Sequence, residues 1–65
     1  MKVVKCSIIL SKLKADGWYL CRQRGSHRQF KPPTKSGTVT VNGKPSTDFW
    51  GRLLDNIEAQ SGIVF

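Results

Sequence analysis

The run Asp16-Gly17-Trp18-Tyr19-Leu20-Cys21-Arg22-Gln23-Arg24-Gly25-Ser26-His27-Arg28-Gln29-Phe30-Lys31 decides how this chain folds. Asp16-Gly17 is a helix stop, because glycine takes up the left-handed conformation that ends many helices. Trp18 to Arg24 is aromatic and apolar at its start and charged at its end, which predicts a strand. Gly25-Ser26 supplies a two-residue hairpin loop, with Gly at the first central position as a type II′ turn requires. His27 to Lys31 is then the returning strand, and Pro32-Pro33 ends it by removing backbone donors.

Before this run, Cys6, Ile9, Leu10 and Leu13 fall at the i, i+3, i+4, i+7 spacing of one helix face, with Lys12 and Lys14 on the other side. Ser7 is a candidate N-cap, while Val3 and Val4 either extend the helix backwards or form a short extended lead. After it, Thr34-Lys35-Ser36-Gly37 reads as a loop and Thr38-Val39-Thr40-Val41 alternates as a third strand. Asn42-Gly43-Lys44-Pro45 leaves the sheet, and Ser46 or Thr47 caps a closing helix with Asp48 near its positive end. Phe49, Leu53, Leu54 and Ile57 would be that helix's apolar face and Gly62 its stop. Gly51 inside the run costs about 1 kcal/mol relative to Ala, so the regular helix is expected to begin near Arg52. The predicted class is α+β, in the order helix, three antiparallel strands, helix, with the helices on one face.

Alternation assigns the faces. Val39 and Val41 point to the helices, so Thr38 and Thr40 face the open side. Phe30 belongs to the core together with Arg28, which leaves His27, Gln29 and Lys31 in the open. With Trp18 and Leu20 inward, strict alternation puts Tyr19, Cys21 and Gln23 on the His27 face. Arg22 then starts inward and must reach the sheet edge as the strand twists. Trp18, Trp50 and Phe49 read as core rather than as platforms for stacking bases.

A chain of 65 residues is expected to form one domain with a thin core, since so short a chain buries only about 60% of its unfolded surface. Eleven Lys and Arg against four Asp and Glu give a net charge of +7 and a pI near 10.0. The excess is uneven: residues 1–44 hold ten basic side chains against Asp16, whereas residues 45–65 hold Arg52 against Asp48, Asp55 and Glu58. A field this positive points to a polyanionic partner. Cys6 and Cys21 are too few and too far apart for a zinc site, and they read as buried or half-buried free thiols. Neither a signal peptide nor a membrane-spanning run is evident, which makes the cytosol the expected compartment.

His27, the only histidine, stands among Arg22, Arg24, Arg28 and Lys31. Imidazole both takes and gives protons near neutral pH, and fixed cations around it suit chemistry on a phosphate. RNA is then the candidate substrate, because its 2′-hydroxyl can act as the nucleophile without a metal or other cofactor. A base removes the hydroxyl proton, cations steady the charged phosphorane, and an acid protonates the leaving oxygen. His27 fills one proton-transfer role; Tyr19, Lys31 or water would fill the other. Arg22, Arg24, Arg28 and Lys31 would position phosphates, Ser26 and Gln29 would add hydrogen bonds, and Gly25 would make the turn that aims the histidine. The four carboxylates are scattered and do not suggest a site of their own.

The run from Asp16 to Lys31, continued by Pro33 to Val41, by Gly43-Lys44-Pro45 with Asp48, and by Ile57 with Gln60-Ser61-Gly62-Ile63, resembles the HicA (YcfA-like) toxins of bacterial and archaeal toxin-antitoxin pairs. The resemblance covers about residues 7–63. It implies a double-stranded-RNA-binding-domain-like fold, an mRNA-cleaving activity with His27 as the catalytic residue, and inhibition by a HicB-type antitoxin. The chain departs from the family pattern at Asn42-Gly43-Lys44, where many members carry a histidine, and at Gly51-Arg52, where Gly-Thr is common. The alternatives are a non-catalytic RNA-binding module and an inactive partner that only occupies an antitoxin.

Overall fold

The computed structural model describes residues 1–34 and 37–65; of the expected loop Thr34 to Gly37, Lys35 and Ser36 lie outside the described residues. The predicted helix forms as α1 (Cys6–Ala15), and the hairpin forms as β2 (Tyr19–Arg24) and β3 (His27–Lys31). The third predicted strand is β4 (Val39–Val41), and the closing helix is α2 (Gly51–Ser61). Val3 and Val4 take the extended alternative as part of β1 (Val3–Lys5), which pairs as an antiparallel ribbon with β5 (Asp48–Trp50), a strand that the pattern does not reveal. β2, β3 and β4 make the main antiparallel sheet in that order. The α+β expectation holds, and the arrangement of two helices against a three-stranded sheet is compatible with the double-stranded-RNA-binding-domain-like fold.

The ends of α1 are closed in two different ways. At its C-terminus the Trp18 N–H bonds the Leu13 carbonyl at 3.0 Å and the Gly17 N–H bonds the Lys14 carbonyl at 3.0 Å, the paired bonds of a Schellman stop. Trp18 thereby turns into the core, and its indole N–H donates to Asp16 Oδ2 at 3.1 Å. At the N-terminus Lys5, not Ser7, occupies the cap position and offers no side-chain bond. The orphan N–H groups of Cys6 and Ser7 instead donate to the carbonyls of Thr47 at 2.8 Å and Pro45 at 3.0 Å.

Those contacts explain why Ser46 and Thr47 do not cap α2. Thr47 is held in the loop, its hydroxyl accepting the Lys44 N–H at 3.0 Å while its carbonyl serves α1. The chain then runs extended through β5, where Val4 faces Phe49 and Lys5 faces Asp48, and the Lys5 ammonium meets the Asp48 carboxylate at 3.1 Å. Gly51 has φ +60, a value that L side chains rarely adopt, and this swings the strand directly into α2. Phe49 therefore reaches the core from a strand, and Leu53, expected on the buried face of α2, is 55% exposed.

Cys6, Ile9 and Leu13 of α1 and Leu54 and Ile57 of α2 pack on Phe30, Val39 and Val41 of the sheet, with Val4, Trp18 and Phe49 closing the sides. Full burial of a side chain such as Phe49 or Ile9 is worth about 1.5–3 kcal/mol, and this cluster carries most of the fold. Among the described residues no helix lies over the opposite face of the main sheet.

Candidate nucleic-acid interface

The uncovered face is built by cross-strand pairs. In the β2–β3 hairpin Arg24 stands opposite His27, Arg22 opposite Gln29, and Tyr19 opposite Lys31; Thr40 of β4 stands opposite Gln29 on the other side. Arg28 and Phe30 alternate to the helix side, where they face Val41 and Val39. Opposed residues in an antiparallel pair share a face, so two arginines, the histidine, Gln29 and Thr40 converge. They line an open concavity of about 300 Å³.

Strict alternation along β2 does not give this result. Between Leu20, which faces Phe30, and Arg22, which faces Gln29, Cys21 is an extra residue in a β-bulge. The bulge reverses the parity of everything after it. Arg22 and Arg24 turn to the His27 face, and Gln23 turns to the side of Arg28, where strict alternation would have put the arginines. The bulge thus brings two guanidinium groups to the His27 face, while Gln23, which takes the helix-side place, stays exposed. Cys21 is exposed rather than buried or half-buried, and its thiol donates to the Gln29 carbonyl at 3.3 Å. Leu20 does point to the helix side, but α1 does not cover this edge and it stays 47% exposed.

The turn sets His27 at the mouth of the concavity. Gly25 has φ +60, as the first central residue of a type II′ turn needs, and its carbonyl accepts a bond from Gln23 Nε2 at 3.1 Å. His27 is exposed, and so is Ser26 beside it at the tip. Lys31 lies on the same face beyond the concavity. Arg28 does not join them: its Nη1 donates to the Gly43 carbonyl at 2.7 Å and more weakly to the Ser26 carbonyl at 3.4 Å. From that inner position its charge acts on Cys6, whose thiol is pushed up by burial and pulled partly back by the guanidinium.

The charge is one-sided. No Asp or Glu occurs in β2, β3 or β4. The ion pairs among the described residues, Lys2–Glu58 at 2.6 Å and Lys5–Asp48 at 3.1 Å, lie away from this face. Arg22, Arg24 and Lys31 thus have no carboxylate partner among the described residues, and their field is directed outward. Nor do any three or more His, Cys, Asp or Glu side chains among the described residues come together as a metal site.

Fold and face together define a small basic α+β module, compatible with the double-stranded-RNA-binding-domain-like architecture, that presents one histidine from a hairpin. The family model described as the HicA toxin of bacterial toxin-antitoxin matches residues 7–63, and the chain belongs to that family. It is the toxin of a toxin-antitoxin system, and such membership implies an antitoxin partner. A search of curated proteins finds no match to the chain. Among the described residues no helix is long and apolar enough to cross a membrane.

Proposed function

We propose that this toxin is a metal-independent endoribonuclease that cleaves mRNA in the cytoplasm with His27 as general acid or base, and that a HicB-type antitoxin holds it inactive. The observation that carries the reading is the convergence of Arg22, Arg24, His27, Gln29 and Thr40 on one carboxylate-free concavity. A phosphodiester lying there meets guanidinium groups that stabilise the extra negative charge of a phosphorane, beside an imidazole able to move a proton. The 2′-hydroxyl attacks the neighbouring phosphorus and loses its proton, and the 5′-oxygen leaves and gains one. The products are a 2′,3′-cyclic phosphate and a 5′-hydroxyl end.

Arg22 and Arg24 hold the phosphate, Gln29 and Thr40 donate hydrogen bonds to it, and Gly25 and Ser26 form the turn that presents the histidine. Arg28 supports the site from behind by tying the hairpin to the Gly43 loop. His27→Ala is expected to abolish cleavage of a labelled transcript, and growth arrest on expression, while far-UV circular dichroism and most RNA affinity are retained. Full cleavage by that variant overturns the assignment. An antitoxin covering an exposed cationic face would inhibit by exclusion and by charge neutralisation together. Co-elution of the chain with the product of the adjacent gene on size exclusion tests that part.

A further inference from the structure

The open face does not stop at the concavity. One rung further along the hairpin, Tyr19 stands opposite Lys31. Lys31 is four residues from His27 along β3, about 13 Å at the usual rise per residue. Strand side chains stand roughly perpendicular to the sheet, so groups on these two rungs do not reach the same phosphate oxygens. Neither Tyr19 nor Lys31 is placed to be the second proton-transfer group beside His27. What they can touch is the stretch of substrate next to the bond being broken.

Tyr19 is unusual for its place. Trp18, Phe30 and Phe49 are buried, and Trp50, expected in the core, is 55% exposed on the separate β1–β5 ribbon; the Tyr19 residue is 52% exposed, and its register opposite Lys31 puts it on the basic face of the arginines. Its partner Lys31 is exposed and forms no ion pair among the described residues. An aromatic plane next to a free ammonium offers a stacking surface for a base and a cation for the phosphate attached to it.

We propose that Tyr19 and Lys31 form a flanking-nucleotide subsite, in which one unpaired base stacks on the Tyr19 ring while an adjoining phosphate pairs with Lys31. This rests on the RNA-cleavage reading and names its substrate class: the segment beside the cleaved bond is single-stranded. A duplex presents phosphates and 2′-hydroxyls to a protein surface but keeps its base faces stacked inside, out of reach of the ring. The subsite therefore distinguishes unpaired from paired RNA without reading sequence, since every base has a face to stack.

The test is a binding measurement that does not depend on cleavage. In the His27→Ala background, fluorescence anisotropy is recorded with a labelled single-stranded RNA and with the same strand annealed to its complement. Tyr19→Ala is expected to weaken single-strand binding about five- to a hundredfold, the equivalent of about 1–3 kcal/mol, with little change for the duplex. Tyr19→Phe restores most of the loss, because the ring remains. Lys31→Gln lowers the slope of log affinity against log salt by about 0.7. With His27 present, Tyr19→Ala raises KM more than it lowers kcat. Equal losses for single strand and duplex, or a Tyr19→Phe variant as weak as Tyr19→Ala, overturn the subsite. Tyr19-dependent single-strand binding by a protein that cuts nothing sustains the subsite and refutes the nuclease reading; cleavage that is indifferent to Tyr19 does the reverse.

Discussion

Arg24 and Arg28 lie within one hairpin, carry the same charge, and live in different worlds. Arg28 shares the helix side of the sheet with Phe30 and has its guanidinium bonded to the Gly43 carbonyl at 2.7 Å. Arg24 stands across from His27 on the uncovered side, with no carboxylate partner among the described residues. A buried or half-buried cation has to be satisfied inside the protein, and so it becomes part of the architecture. A cation left in water retains its field for something that comes from outside. One strand pair thus keeps its stabilising and its ligand-facing residues apart by parity alone.

The contrast is broken or sharpened most strongly at Phe30 and His27, which lie on opposite faces of β3. Phe30→Ala opens a cavity in a thin core and is expected to cost about 3–5 kcal/mol, a large share of the roughly 5–15 kcal/mol that holds a domain together. His27→Ala should stay within about 0.5 kcal/mol. Urea denaturation followed by tryptophan fluorescence measures both, and similar midpoints for the two variants would erase the distinction between the faces.

The arginine pair gives the next largest effect. Arg28→Ala leaves the Gly43 carbonyl, among the described residues, with the distant Cys6 thiol at 3.9 Å as its side-chain donor, and should cost about 1–3 kcal/mol. Arg24→Ala should leave stability nearly unchanged but lower RNA affinity and reduce the salt slope by about 1. Reversal of these two phenotypes would show that the parity set by the Cys21 bulge is wrong.

The smallest effect lies away from the sheet and serves as a control on it. Glu58 accepts bonds from the Lys2 ammonium at 2.6 Å and from the Phe65 N–H at 2.9 Å, which hold its carboxyl below the usual range. Because its pKa is lower folded than unfolded, the stabilisation is fully present above the ordinary Glu value of about 4.3. It fades as the pH falls through the lowered value, where the folded form also takes up the proton. Thermal melts of wild type and Glu58→Gln should differ at neutral pH and converge in acid. A gap that persists unchanged into acid would mean that the carboxylate charge is not what matters.

The parts of the fold that were legible in the sequence are those whose chemistry is local. Asp16-Gly17 and Gly25-Ser26 announce their turns because glycine is needed at those dihedrals, and the spacing of Cys6, Ile9 and Leu13 declares a helix face. Phe49 and Leu53 misled, since an i, i+4 pair reads as helix whether or not the chain between them bends; the signal against it was Gly51. The orientation of Arg22 and Arg24 was hidden for a related reason. Leu20-Cys21 is an apolar pair where alternation wants one residue, and nothing in the pattern says which of the two is supernumerary. The open-face positions of His27 and Gln29 were readable because Phe30 fixed the parity of their strand.

The first turn of α1 takes its hydrogen-bond partners from Pro45 and Thr47, and the strand leading into it pairs with β5. During synthesis this segment is made before either partner. The opening helix is therefore fastened only when the later half of the chain arrives, so that a truncated or still-growing polypeptide has no finished frame on which to arm the hairpin.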